Sequence, residues 1–270
     1  MIVTKLCGGL GNQIFQWAAA QSVAEKYDTD VYCCLQYFEK NGSKDAEKLP
    51  CGSVKTNLQR NGPTPWGYEL DKLDLNLNLV SGNVFNLPVV HDTWTVKRLQ
   101  NNSYLEGYWQ SEKYFIENAD RIRSLLKMSD EKLKQIQQLY PFLSNGTLSL
   151  HVRRGDYTNL QHVHPCQTVE YYNKALDIIQ DFSNILVFSD DINWCRENLK
   201  YDNVYFAEGQ DNITDLYTMS LCSHNVIANS TFSWWGAWLN ANPYKKVVAP
   251  RLWAANIPTE KVTPESWVII

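Results

Sequence analysis

From residue 147 to 239 the chain alternates strand-length apolar runs with helix-length stretches, and this strict alternation limits the fold more than any other feature. The pattern reads as strand 147–152, helix near 168–180, strand 185–188, helix near 191–199, strand 203–206, helix 213–223, strand 225–228 and a helix from 231. Successive strands joined by helical crossovers run parallel, and a parallel sheet is covered on both faces. The first half opens alike. Ile2 to Leu6 reads as a buried strand that enters Gly8-Gly9-Leu10-Gly11 and then a helix, Gln13 to Tyr27, followed by a strand from Val31 to Leu35. Glu39 to Pro65 is polar, rich in Gly and Pro and without a period, so it reads as loop and insertion. Beyond it, Asn83 to Val90 and Tyr104 to Gly107 read as short strands, and Ser111 to Leu126 and Ser129 to Tyr140 as helices. The second of these starts on a good N-cap, Ser129, with Asp130 and Glu131 in its first turn. The expectation is an α/β chain of two Rossmann-like domains, 1–145 and 146–270, facing across a cleft.

Composition narrows the partners. The net charge of −4 has the wrong sign for a protein that holds nucleic acid by neutralising phosphates, so an anionic ligand must be small and met by a local basic cluster. The seven cysteines form no Cys-x-x-Cys pair and no zinc-type spacing, which fits reduced thiols in a cytoplasm. The N-terminus lacks the pattern of a signal peptide, and no apolar run is long enough to span a bilayer; peripheral contact with a membrane surface stays open, as does the oligomeric state. Ten Trp and fifteen Tyr suit sugar faces as well as cores.

In such sheets ligands bind beyond the carboxyl ends of the strands, so the turns there carry the chemistry. The strand at 147–152 leads into Arg153-Arg154-Gly155-Asp156. Two guanidiniums at a strand end form a diphosphate clamp; the alternative is an ion pair between one of them and Asp156. After the strand at 185–188, Asp190 and Asp191 either cap the next helix or accept from a ribose or base. After the strand at 225–228, Asn229-Ser230-Thr231-Phe232-Ser233 enters a helix, whose free N–H groups and hydroxyls make an anion site that needs no metal; capping is the compatible alternative. Trp234 and Trp238 lie one turn apart and favour packing over ligand contact. Asp28-Thr29-Asp30 precedes a strand and reads as a turn, not as a metal-holding D-x-D. Gly9-Leu10-Gly11 opens like a dinucleotide fingerprint, but Ile14 stands where its third glycine would be, which weakens the reading as a nucleotide-dependent oxidoreductase. Paired arginines beside a hydroxyl cluster likewise disfavour a non-catalytic glycan-binding protein.

Five segments together resemble the family 11 glycosyltransferases, the α1,2-fucosyltransferases, in their compact bacterial form: GGLGNQIFQ at 8–16, GYWQSEKYF at 107–115, HVRRGDY at 151–157, FSDD at 188–191 and DLYTMSLCSHNVIANSTFSWWGAWLN at 215–240. The resemblance implies a GT-B-like fold with the acceptor side in the first domain and the donor in the second. It also implies GDP-fucose as donor, no cofactor and no metal, and inverting transfer to the 2-hydroxyl of a terminal galactose on a glycan acceptor. Related core α1,6- and protein O-fucosyltransferases share the His-x-Arg strand end. By that likeness Arg153 contacts the β-phosphate, His151 lies near the base, Asp215 reads guanine, Thr231 and Ser233 contact phosphate, and Asn12 acts on the donor side. Arg154, Asp190, Asn229 and Ser230 complete the expected binding set. The core enzymes carry a glutamate eight residues past the first arginine, where this chain has Gln161, so no base carries over; Asp156 is the candidate, with His162 and His164 behind it.

Overall fold

The computed structural model describes residues 1–41, 47–48, 54–55, 67–82, 84–93, 99–143 and 146–270. It divides into two compact units, Met1–Lys127 and Met128–Ile270. The break falls before the expected 145/146 because the helix capped by Ser129 belongs with the second unit, where Lys132 Nζ donates to Thr214 Oγ1 at 3.1 Å.

In the first unit the elements are β1 (Ile2–Lys5), α1 (Leu10–Tyr27), β2 (Val31–Cys34), α2 (Gln36–Asn41), the two-residue pair β3 (Glu47–Lys48) and β4 (Val54–Lys55), then β5 (Asn78–Val80), β6 (Val89–His91), β7 (Ser103–Glu106) and α3 (Ala119–Leu125). The main sheet is parallel throughout, in the order β5-β2-β1-β7-β6. The second unit runs α4 (Asp130–Leu139), β8 (Thr147–Val152), α5 (Val169–Ile179), β9 (Asn184–Ser189), α6 (Ile192–Asn198), β10 (Val204–Phe206), α7 (Asn212–Leu221), β11 (His224–Val226), α8 (Thr231–Leu239), β12 (Val247–Ala249), the hairpin β13 (Leu252–Ala254) and β14 (Ile257–Pro258), and β15 (Val268–Ile269). Its sheet is also parallel, ordered β10-β9-β8-β11-β12-β15. In each unit the chain walks outward from its first strand and then returns to that strand's other side, which places a topological switch point between β1 and β7 in one unit and between β8 and β11 in the other.

Every expected element of the second unit from 147 onward is present; β8 alternates Leu148, Leu150 and Val152 with Thr147, Ser149 and His151, and all six of its residues are buried, as a central parallel strand requires. Two further strands, β12 and β15, extend the sheet beyond the alternation. In the first unit the expected helix over 111–126 breaks into short 3₁₀ turns at Glu112–Tyr114 and Ile116–Asn118 before α3, since Phe115 is fully buried at φ −139 and ψ 10, outside the helical region. Of the strand expected over 83–90 only Val89 and Val90 lie in a strand, β6, while β5 precedes the expected range at Asn78–Val80; Asn83 lies outside the described residues, as does most of the 39–65 insertion. Asp28 adopts the left-handed region (φ 46) and closes α1, so Asp28-Thr29-Asp30 is indeed a turn.

A costly turn follows β7. Trp109 is fully buried in the left-handed region (φ 55), and its Nε1 has no partner among the described residues. Each feature costs about 1–3 kcal/mol. The Asp92 carboxylate holds the turn, accepting from Trp109 N at 2.8 Å and from the Tyr114 hydroxyl at 3.4 Å.

Candidate functional site

The second unit's switch point brings the turns that hold Arg153, Arg154, Asp156, Asp190 and 229–233 to one side of the sheet, because β8 lies between β9 and β11 and the turns after all three leave the same side; Asp215 lies apart from them on α7. Contacts confirm the convergence. The Tyr157 hydroxyl, past β8, donates to the Asn229 carbonyl past β11 at 3.3 Å, and the His151 and Phe232 rings lie 5.9 Å apart.

Arg153 forms the centre of an ion-pair cluster. Its guanidinium binds the Asp156 carboxylate and, at 2.5 Å, Asp190 Oδ2, with the Tyr157 ring 5.0 Å beneath it. The pair with Asp156 thus forms on the first arginine. Arg154 turns the other way: its Nε donates to Asp191 Oδ2 at 3.1 Å, and the Trp194 ring stacks under it at 4.2 Å. Asp190 Oδ1 also accepts from Arg154 N at 2.8 Å, so this residue sets both arginines. Asp191 caps α6, accepting from Trp194 N at 3.2 Å. Gly155 permits the arrangement, since a Cβ there would stand 2.4 Å from Asp190 Oδ2.

Across the switch point, Ser230 is the N-cap of α8 and Thr231 its first residue, with no side chain capping the helix start. Ser233 is fully buried and its hydroxyl donates back to Ser230 O at 3.3 Å. Asn229 is committed to structure: Gln167 donates to its Oδ1 at 3.1 Å, and its Nδ2 donates to Trp253 O at 3.2 Å.

Four buried side-chain polar atoms of this unit have no hydrogen-bond partner among the described residues: His151 Nδ1, His164 Nδ1, Asp215 Oδ1 and Thr259 Oγ1. Burial, reinforced by the Arg153 charge, lowers the His151 imidazole to about 3, so it is neutral at any physiological pH. Asp215 lies in the first turn of α7; burial first and the Asp211 charge second push its carboxyl up to about 7. His164 stacks on Tyr157 at 4.7 Å, and its imidazole is lowered chiefly by burial. Among the described residues no group of three or more His, Cys, Asp or Glu side chains is placed to hold a metal ion, no disulfide forms, and no helix is long and apolar enough to cross a membrane.

Asn12 lies in the other unit. Its Oδ1 accepts from Gln110 Nε2 at 2.7 Å, and Gly8 (φ 73) makes room for its amide, which a Cβ would approach to 2.4 Å. Sequence reasoning missed two partners here. Trp194 and Glu69 carry no local motif, and only the fold brings them to Arg154 and to the start of α1, where Glu69 Oε2 accepts from Leu10 N at 3.0 Å.

The sequence and the fold have known counterparts. Residues 85–270 match the family model described as Glycosyl transferase family 11. An alpha-1,2-colitosyltransferase of Escherichia coli is 30% identical, over 100% of this chain and 99% of its own length. Galactoside alpha-(1,2)-fucosyltransferase 1 of Bos taurus is 26% identical over 50% of this chain and 43% of its own. Among solved structures, the NodZ alpha-1,6-fucosyltransferase of Bradyrhizobium, co-crystallized with GDP, shares the GT-B-like fold with a TM-score of 0.51 at 12% identity, covering 87% of this chain and 90% of that one.

Proposed function

The chain belongs to glycosyltransferase family 11, and from that premise we propose that it transfers L-fucose from GDP-β-L-fucose to the 2-hydroxyl of a terminal galactose, with inversion and without a metal ion or cofactor. Family membership sets aside the oxidoreductase and lectin readings. The observation that carries the donor assignment is that the Arg153 guanidinium and an uncapped helix start lie at one switch point, a combination suited to a diphosphate, while Arg154 is turned onto Asp191 and Trp194 and does not form the second arm of the expected clamp.

In this reading the acceptor hydroxyl attacks the anomeric carbon as the bond to the β-phosphate oxygen breaks, and GDP leaves with the electron pair. Arg153 and the first N–H groups and hydroxyls of α8, at Ser230, Thr231 and Ser233, take up the charge that grows on the leaving phosphate. Arg154 and Asp190 hold Arg153 in register, and Asn229 fixes the turn from behind. Asp156 is the candidate acceptor for the hydroxyl proton, and it can serve once the phosphate has displaced it from Arg153. The neutral His151 and the half-buried Asp215 meet the nucleobase; a guanine edge would supply the donors their buried atoms lack.

Two expected results follow from the site. Only ionised Asp215 accepts both guanine N–H donors, so GDP binding releases a proton near pH 7 and tightens about tenfold between pH 6 and pH 8. Titration calorimetry checks this, with Asp215→Asn removing the dependence. Over the same rise the unliganded unit loses stability, because the fold favours the protonated acid over its unfolded value of 3.8. Gly155→Ala should push Asp190 off the arginines and lower kcat/KM at least about tenfold with the melting temperature little changed, read by steady-state kinetics beside calorimetry.

A second reading has its own support. The bacterial relative is named a colitosyltransferase, and colitose is fucose without its 3-hydroxyl. Supplying GDP-fucose and GDP-colitose in competition, with a small galactoside panel and EDTA, and assigning the product linkage by NMR separates the two donors and tests linkage and metal independence together.

A further inference from the structure

We infer that Tyr157 is a positioning residue for the transfer: its ring, stiffened by stacking with the His164 imidazole, is the support that keeps Arg153 in place once a phosphate competes for the donors that now bind Asp156 and Asp190. It rests on the reading above in one respect, that Arg153 meets the leaving diphosphate.

The local chain builds this support. Leu160 N donates to Tyr157 O at 3.0 Å, and Val163 N and His164 N both donate to Leu160 O at 2.8 Å, so consecutive turns fold the chain back and lay the His164 ring on Tyr157 at 4.7 Å and 16°. The far end of the loop is fastened as well, because Val163 O accepts from Ala255 N at 2.9 Å. Tyr157 itself is anchored across the switch point, its hydroxyl donating to the Asn229 carbonyl at 3.3 Å. Asn229 is in turn fixed by Gln167 at 3.1 Å and by the Trp253 carbonyl at 3.2 Å. The ring therefore ties the turn that holds Arg153 to the turn that opens α8.

What sets the ring apart from the other supports is the kind of contact it makes. Asp156 and Asp190 hold Arg153 through its N–H groups, the same donors that phosphate oxygens need. The Tyr157 ring, 5.0 Å from the guanidinium carbon, attracts the charge through its π face and takes up none of those donors. A phosphate can displace a carboxylate from the fork, but not the ring beneath it. Without the ring, a guanidinium on a flexible stem has to be ordered anew in each turnover, and that cost falls where charge grows on the leaving oxygen. His164 suits the stacking role better than that of a base. Burial lowers its imidazole and its Nδ1 has no partner among the described residues, so it packs as a neutral ring, whereas a proton gained there would set a second cation beside Arg153.

A double-mutant cycle on the full chain tests this, with GDP-fucose and GDP-colitose as donors and the same galactoside panel. Tyr157→Ala should lower kcat at least about tenfold while the GDP Kd, from calorimetry, moves less than about threefold. Tyr157→Phe should recover kcat to within about threefold of wild type, because the ring is kept. In the Arg153→Ala background, Tyr157→Ala should lower kcat no more than about twofold further, since the support has nothing left to hold. His164→Ala should cost about threefold in kcat, and His164→Phe should restore it although it carries no proton. Should Tyr157→Ala fail to fold, Tyr157→Leu carries its expectation. Unchanged kcat in Tyr157→Ala, losses that multiply across the cycle, or a loss in Tyr157→Phe equal to that in Tyr157→Ala would overturn the role of the ring; His164→Phe as impaired as His164→Ala would overturn that of the imidazole. The readings fail separately. No transfer by the wild type, or wild-type turnover in Arg153→Ala, sinks the donor reading and this inference with it; an impaired Arg153→Ala beside an unaffected Tyr157→Ala sinks the inference alone.

Discussion

Arg153→Ala loses about 10²–10³ in turnover while the second unit stays folded. The magnitude is that of a donor aimed at charge that develops only in the transition state, about 3–4 kcal/mol. Arg153 is suited to this role because its guanidinium is largely buried, with 13% of the side chain exposed, and is fixed from three sides by Asp156, Asp190 and the Tyr157 ring. A group already locked in position loses little entropy when the phosphate charge grows. The loss should fall mainly on kcat, with GDP-fucose binding weakened less, since the ground-state phosphate still meets the start of α8. Arg153→Lys should recover only part, because an ammonium cannot present a planar fork to phosphate oxygens and two carboxylates at once. Stability should change modestly, as the partner carboxylates of Asp156 and Asp190 retain side-chain exposures of 35% and 27% and can rehydrate. Steady-state kinetics with circular dichroism separates the two effects; turnover near wild type would remove Arg153 from the mechanism.

Trp234→Ala has the opposite signature, destabilising the second unit by about 3–5 kcal/mol. Trp234 is fully buried, stacks on Trp238 at 6.0 Å and 12°, and meets Trp235 at 4.9 Å and Trp267 at 5.5 Å. Its Nε1 donates to Val262 O at 3.2 Å, so truncation both opens a cavity and orphans a carbonyl. The melting transition of this unit should fall on the order of 10–15 °C. The variant should bind GDP with near wild-type affinity at temperatures where it remains folded. A small thermal shift with lost binding would instead place this ring at the ligand.

The second unit was legible because its strands carry apolar residues at strand spacing, as in Leu148, Leu150 and Val152 of β8 and 185–188 of β9, and its helices announce their starts: Ser129, Asp191 and Asp211 each accept from the backbone N–H of the third residue of α4, α6 and α7. The last strand, β15, was not, because a hairpin and a 3₁₀ turn connect it to β12 in place of a helix, so the alternation that revealed the others stops; β12, which follows α8, is only three residues long. In the first unit, residues 112–118 have helix-like composition, but packing of Phe115 against Phe15 at 6.2 Å overrides it. At the site, the order of the turns fixed where Arg153, Asp190 and Thr231 would gather, since strand ends are local features. The pairing was hidden: Asp190 is 36 residues from Arg154, and which arginine takes Asp156 is decided by the backbone turn at Gly155. Glu69 falls beside the polar insertion, where nothing in the local pattern tells of a carboxylate at the start of α1.

The central claim is that the second unit's switch point grips a diphosphate with its own side chains and backbone. A crystal structure of the full chain with GDP, grown in EDTA, tests it most directly. The β-phosphate should lie within hydrogen-bond distance of the Arg153 guanidinium and of backbone N–H groups at 231–233, with Asp156 displaced from the arginine. A diphosphate seated elsewhere, or bound only when a divalent ion bridges it to carboxylates, would contradict the account.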